Sequence, residues 1–222
     1  MESYVFLDQY RSPPSPHAAL YQDLASEFSK LTYDGSETPY TFFMSISALF
    51  RKLRDPHTLF VPPCLENFYF SLPFAFTLEQ SSNDSSSYVI KGVYSHVRNI
   101  TATWISNASN VDLINKTVTQ INGTDALTYI SEWVKEYGYI SKYQHALFNR
   151  ALRSEFNNRP AYIFEPPDET LTVNYLDEDG VEQEGNLTWQ GIVYSTMTSL
   201  DDYCPLWSEI EEEETSSRPP SR

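Results

Sequence analysis

The run Leu53-Arg54-Asp55-Pro56-His57-Thr58 carries the chain's best candidate for chemistry. Histidine as a residue type exchanges a proton near neutral pH, which suits a general base. Pro56 biases Asp55 away from the helical region, so a helix arriving from the left must stop there. His57 then stands just past a helix end, where a side chain is held better than in a loose loop. On the residues alone, it is either a base or a structural histidine beside an Asp and a Pro; one histidine without a partner does not decide. A nucleophile is harder to find. The chain has no Gly-x-Ser-x-Gly elbow, and its 7 glycines form no segment that could aim backbone amides at an oxyanion. His17 and His96 fall in polar surroundings and read as solvated, whereas His145 falls within a helical pattern and reads as packed. No His or Cys spacing suggests a metal site, and no cofactor is implied. Asp201-Asp202 and the Glu209–Glu214 run read as solvated charge.

The elements that must position His57 are legible as periodicities. Phe42, Phe43, Ile46, Leu49, Phe50 and Leu53 repeat at helical spacing and predict a helix running into the Asp-Pro-His corner. Before it, residues 1–16 read as an extended lead, with Tyr4 to Leu7 ahead of a Pro-rich break at Pro13, Pro14 and Pro16, and Leu20, Leu24 and Phe28 predict a helix over about 17–31. After it, Phe68 to Leu78 reads as strand broken at Pro73. Strands are expected at 88–94, 101–105 and 115–121. The last ends in an Asn122-Gly123 turn, with Thr124 as N-cap of a helix closed by Gly138. A further helical pattern covers 141–156, with Tyr143, Leu147 and Ala151-Leu152 facing inward. A hairpin follows, Leu171–Leu176 and Val181–Trp189 around Asp177-Glu178-Asp179-Gly180. Residues 198–222 are acidic, then Ser/Pro/Arg-rich, and read as a disordered tail. The expected class is α+β. An N-terminal helical region (1–66) precedes a small α+β module (67–197).

Helix, Leu-x-Asp-Pro-His-Thr and an aliphatic-Pro-Pro end resemble the region before the PDZ-like domain of tail-specific (C-terminal processing) serine proteases. Val118-Thr119-Gln120-Ile121-Asn122-Gly123-Thr124-Asp125-Ala126-Leu127 is similar to the strand-turn-helix of those PDZ-like domains. The two motifs occur in the family's order and spacing, and the resemblance covers roughly residues 4–195. The closer likeness is to the branch that resembles chlamydial protease-like activity factor. The resemblance implies that the α+β module is PDZ-like and binds a polypeptide substrate or peptide ligand. It also implies that His57 is the base of a Ser/His arrangement. In the bacterial processing proteases a similar stretch is not catalytic and a lysine serves as base. The family's nucleophile segment would lie beyond everything seen here, in a missing C-terminal catalytic domain.

The net charge of -15 argues against nucleic acid or an anionic membrane as partner. No apolar stretch approaches the ~20 residues of a membrane span. Met1-Glu2-Ser3-Tyr4 does not open a signal peptide. Asn-x-Ser/Thr acceptors nevertheless occur at Asn83, Asn99, Asn107, Asn115, Asn122 and Asn186. That is half of the asparagines, against roughly one in five by chance, which predicts a glycoprotein of the secretory route or extracellular space. The alternative is a cytoplasmic protein whose Ser/Thr-rich composition produced the sites. Cys64 and Cys204 either pair or remain as two thiols. Two functions follow: the N-terminal portion of a serine endopeptidase, inactive as this isolated chain, or a non-catalytic, glycosylated protein- or peptide-binding module.

Overall fold

The computed structural model describes residues 7–15, 18, 21–62, 65–66, 68–80, 88–94, 111–165, 167–168 and 170–193. The expected strand at 101–105, the tail, both cysteines, His17 and His96 lie outside them.

The N-terminal region is helical, as the periodicity required, but its details differ. Residues read as part of an extended lead form α1 (Leu7–Arg11), and α2 is short (Leu24–Ser29). Helix α3 (Pro39–Arg51) begins where Thr38 accepts the Thr41 N–H at 3.2 Å and Pro39 takes the first helical position. Tyr10, Leu24, Leu49 and Leu53 are buried together, with Phe28 and Phe50 packed against them. The Tyr10 hydroxyl donates to the Leu53 carbonyl and ties the first helix to the end of the third.

Two antiparallel sheets follow. Strands β1 (Phe68–Ser71) and β2 (Phe74–Gln80) are the halves expected on either side of Pro73, but they belong to different sheets. β1 pairs with β6 (Asn158–Pro160) on one side and β9 (Gln190–Val193) on the other. β2 forms an edge of the larger sheet. The order there is β2, β3 (Tyr88–Tyr94), β4 (Thr117–Ile121), β7 (Thr170–Leu176) and β8 (Glu182–Thr188), with β5 (Thr124–Asp125) also on β4. Helix α4 (Ala126–Tyr137) is capped by Asp125, which accepts from Thr128 N at 2.9 Å; the cap is Asp125, not Thr124. Helix α5 (Gln144–Arg150) runs into a π-helical turn at Ala151–Glu155. The β7–β8 hairpin has the expected arms, and Asp177 accepts the N–H groups of Asp179 and Val181 at 3.0 and 2.8 Å.

The main core lies between the larger sheet and α4–α5. Phe156 is fully buried, with ring-centroid distances of 5.3 Å to Trp133 and 5.6 Å to Phe76. β3 passes so close to the segment entering β4 that a Cβ on Gly92 would meet the Leu113 carbonyl oxygen at 2.3 Å. Ala161–Phe164 is a turn that follows β6. Tyr143 and His145, expected inward, are exposed; their rings lie 5.9 Å apart at the start of α5.

Candidate functional site

Sequence places His57 past a helix end, and the structure shows how that corner is built. Lys52 ends α3, and Arg54 adopts φ 50, a left-handed residue that reverses the chain. The Asp55 carboxylate then organises the turn. It accepts the His57 N–H at 3.0 Å and the Thr58 hydroxyl at 2.8 Å, while Thr58 N–H donates to the Asp55 carbonyl at 3.1 Å. Burial opposes the charged carboxylate, but the hydrogen bonds from the His57 N–H, Thr58 hydroxyl and His57 ring outweigh it and hold the Asp55 pKa below its ordinary value. Phe60 folds back, its ring 6.3 Å from Phe50 and 6.0 Å from Phe43 of α3, closing the loop.

The His57 imidazole points to solvent: its side chain is 93% exposed, with Nδ1 3.4 Å from Asp55 Oδ1. The Asp55 carboxylate lies beside one ring nitrogen, and the ring is otherwise open to solvent. No serine hydroxyl bonds to His57 among the described residues.

The corner is fixed to the α+β module through polar contacts that the hydrophobic period did not reveal. Ser47, buried on α3, donates to the Tyr162 carbonyl at 2.6 Å. Arg51 donates to the Ile163 carbonyl, and its guanidinium lies 5.4 Å from the Tyr137 ring and 5.9 Å from that of Phe164. Burial lowers the Arg51 pKa. Arg54 donates to the Lys135 carbonyl at 3.0 Å, in the last turn of α4, where a cation also meets the negative end of the helix dipole.

A groove of about 590 Å³ runs along β2, between Ala75–Leu78 and the side chains of Asn149, Leu152 and Arg153. Among the described residues β2 pairs only with β3, and Val93 of β3 also lines the groove. The helical wall of this groove is the end of α5 with its π-helical turn. α4 packs over β3 and β4 instead.

Of the six candidate glycosylation sites, Asn115, Asn122 and Asn186 are described, and all three are exposed. Asn122 also has a structural task. With Gly123 it takes positive φ (47 and 74), as a two-residue hairpin turn requires, and its side-chain oxygen accepts Thr172 N–H at 3.0 Å. Asn83, Asn99 and Asn107 lie outside the described residues. Among the described residues no helix is long and apolar enough to cross a membrane.

The chain has an α+β fold that it shares, distantly and in part, with a serine protease. That protease is chlamydial protease-like activity factor, CPAF. A crystal structure of a serine-to-alanine mutant of CPAF matches with a TM-score of 0.53 and 16% identity, covering 96% of this chain and 36% of that one. Mature CPAF complexed with lactacystin gives a TM-score of 0.48 and 16% identity, over 89% of this chain and 32% of that one. The chain therefore spans about a third of the CPAF chains it resembles, and at this identity the likeness is one of fold. No family model matches the sequence, and no curated protein matches it.

Proposed function

We propose that this chain is the amino-terminal portion of a tail-specific-type serine endopeptidase, with His57 as its general base and a PDZ-like module that holds the substrate peptide. The observation that carries the reading is the backbone likeness to the CPAF mutant across 96% of this chain. Two local features support it. Asp55 orients the His57 corner and leaves one ring nitrogen open to solvent. The β2 edge with its flanking groove suits an extended polypeptide added as a further strand, main-chain hydrogen bonds giving affinity and side-chain pockets giving selectivity. The nucleophile and oxyanion hole come from a segment outside this chain.

The test is hydrolysis of an unfolded protein substrate. The 222-residue chain alone is expected to show none. The same chain extended by the protein-coding segment that follows it should hydrolyse the substrate, and His57→Ala in the extended form should lose about 10³-fold or more in kcat. Full activity of the extended His57→Ala protein would remove His57 from the mechanism. Turnover by the 222-residue chain that disappears in His57→Ala would place the nucleophile within it.

A second reading, a non-catalytic peptide-binding glycoprotein of the secretory route or extracellular space, is favoured by the exposure of Asn115, Asn122 and Asn186. An extended chain that binds peptides at β2 but hydrolyses nothing would support it over the first.

A further inference from the structure

A second cavity, of about 750 Å³, opens between α4, β6 and the start of β7 and shares no lining residue with the β2 groove. Its volume is within the range of small-ligand sites. Tyr129, Trp133, Tyr137, Phe164 and Trp189 form aromatic walls, and Arg159 reaches into it from β6. The Arg159 guanidinium lies 4.3 Å from the Trp189 ring and 4.9 Å from that of Trp133, and its Nε donates to the Phe156 carbonyl at 3.0 Å. No carboxylate pairs with it among the described residues, and none of them accepts from its remaining N–H groups. Burial lowers its pKa to about 10, which reflects the cost of holding a charge there.

Ring faces offset part of the cost of that charge, but they leave the planar donor fork of the guanidinium unused. A carboxylate is the group whose geometry fits the fork. The rim adds a second requirement. Glu132, Glu136, Glu165 and Asp168 border the cavity and are exposed; Arg51 also lines it, near Glu136 and Glu165, which leaves four carboxylates against that one cation and the rim net acidic. They repel a purely anionic ligand and attract a cation at the mouth.

We propose that this cavity binds a peptide segment of mixed charge, its carboxylate seated on Arg159 between Trp133 and Trp189 and its basic side chain at the acidic rim. The site needs only residues of this chain, so it does not depend on the protease reading.

Calorimetric titration of the full chain with acetyl-Asp-Ala-Ala-Lys-amide tests it, with tryptophan fluorescence as a second readout because two indoles flank the guanidinium. Saturable binding with a Kd below about 1 mM is expected. The neutral probe acetyl-Asn-Ala-Ala-Gln-amide should bind at least about tenfold more weakly. Arg159→Lys keeps the charge but not the fork, and should lose about tenfold or more. The Glu132→Gln/Glu136→Gln double variant alters only exposed helix positions. It should lose about threefold and narrow the preference for the lysine-bearing probe over acetyl-Asp-Ala-Ala-Gln-amide. If Arg159→Lys does not fold, that loss of preference decides the matter. No saturable binding up to about 10 mM, equal binding of the neutral probe, or an unchanged preference in the double variant would overturn the proposal.

Discussion

Removing Arg51 tests how the His57 corner is held to the rest of the molecule. Its guanidinium donates to the Ile163 carbonyl and lies over Tyr137 and Phe164, joining the end of α3 to the turn after β6 and to α4. A hydrogen bond from a charged group is worth about 1.5–3 kcal/mol net, and each partly buried ring contact about 0.5–1. Against these stands the desolvation of the guanidinium, which its lowered pKa reveals and which truncation relieves. Arg51→Ala should therefore cost about 2–4 kcal/mol, since it also strips the aliphatic stem from the rings. Arg51→Met keeps the stem, drops the charge and leaves the carbonyl without its donor; about 1–2 kcal/mol is expected. Urea unfolding followed by tryptophan fluorescence measures both, with m-values reporting whether α3 still unfolds with the sheets. If Arg51→Ala falls within about 0.5 kcal/mol of the parent at unchanged m, the docking argument fails, and Ser47 and Arg54 must carry the attachment.

Gly92→Ala should destabilise by about 1–3 kcal/mol in the same assay, because the added methyl would overlap the Leu113 carbonyl at 2.3 Å; a neutral result would mean the two segments separate freely. Glu155 is buried, and burial raises its pKa despite the Arg150 hydrogen bond at 3.1 Å. With the folded pKa above the unfolded value, its contribution to stability is fullest below the unfolded pKa and is lost as pH rises through the folded one. The parent should therefore lose stability relative to Glu155→Gln as pH rises above about 4.5, the ordinary glutamate value; a pH-independent difference would contradict this. Expression through a secretory host should give glycans at Asn115 and Asn186, seen by peptide mapping. Occupancy should be lower at Asn122, whose side-chain amide nitrogen already donates to the Tyr129 hydroxyl at 3.3 Å. A glycan-free product would end the secretory reading.

The sequence by itself determined what local periodicity and turn chemistry encode. The helix into the Asp-Pro-His corner, the β4–turn–α4 unit and the β7–β8 hairpin form because each carries its own repeat, with turn chemistry at Asn122-Gly123 and Gly180; the helix, however, stops at Arg51, ahead of Pro56, where Lys52 caps it and Arg54 turns left-handed. The same local rules misread Leu7–Arg11, where five residues carry too little periodicity to separate a helical turn from an extended arm. Only the tertiary structure decided the rest. β1 and β2 adjoin in sequence yet pair in different sheets, because the partners of β1, β6 and β9, come from far along the chain whereas β2 pairs with the next strand, β3. Ser47 and Arg51 are not part of the apolar repeat of α3, so the periodicity gave them no role. They are docking residues because the carbonyls of Tyr162 and Ile163, more than 100 residues away, are placed to accept from them. Arg159 likewise carries no local signal. What makes it a candidate binding residue is Trp133 from α4 and Trp189 from the end of the hairpin closing on its two faces, a meeting that only long-range packing arranges.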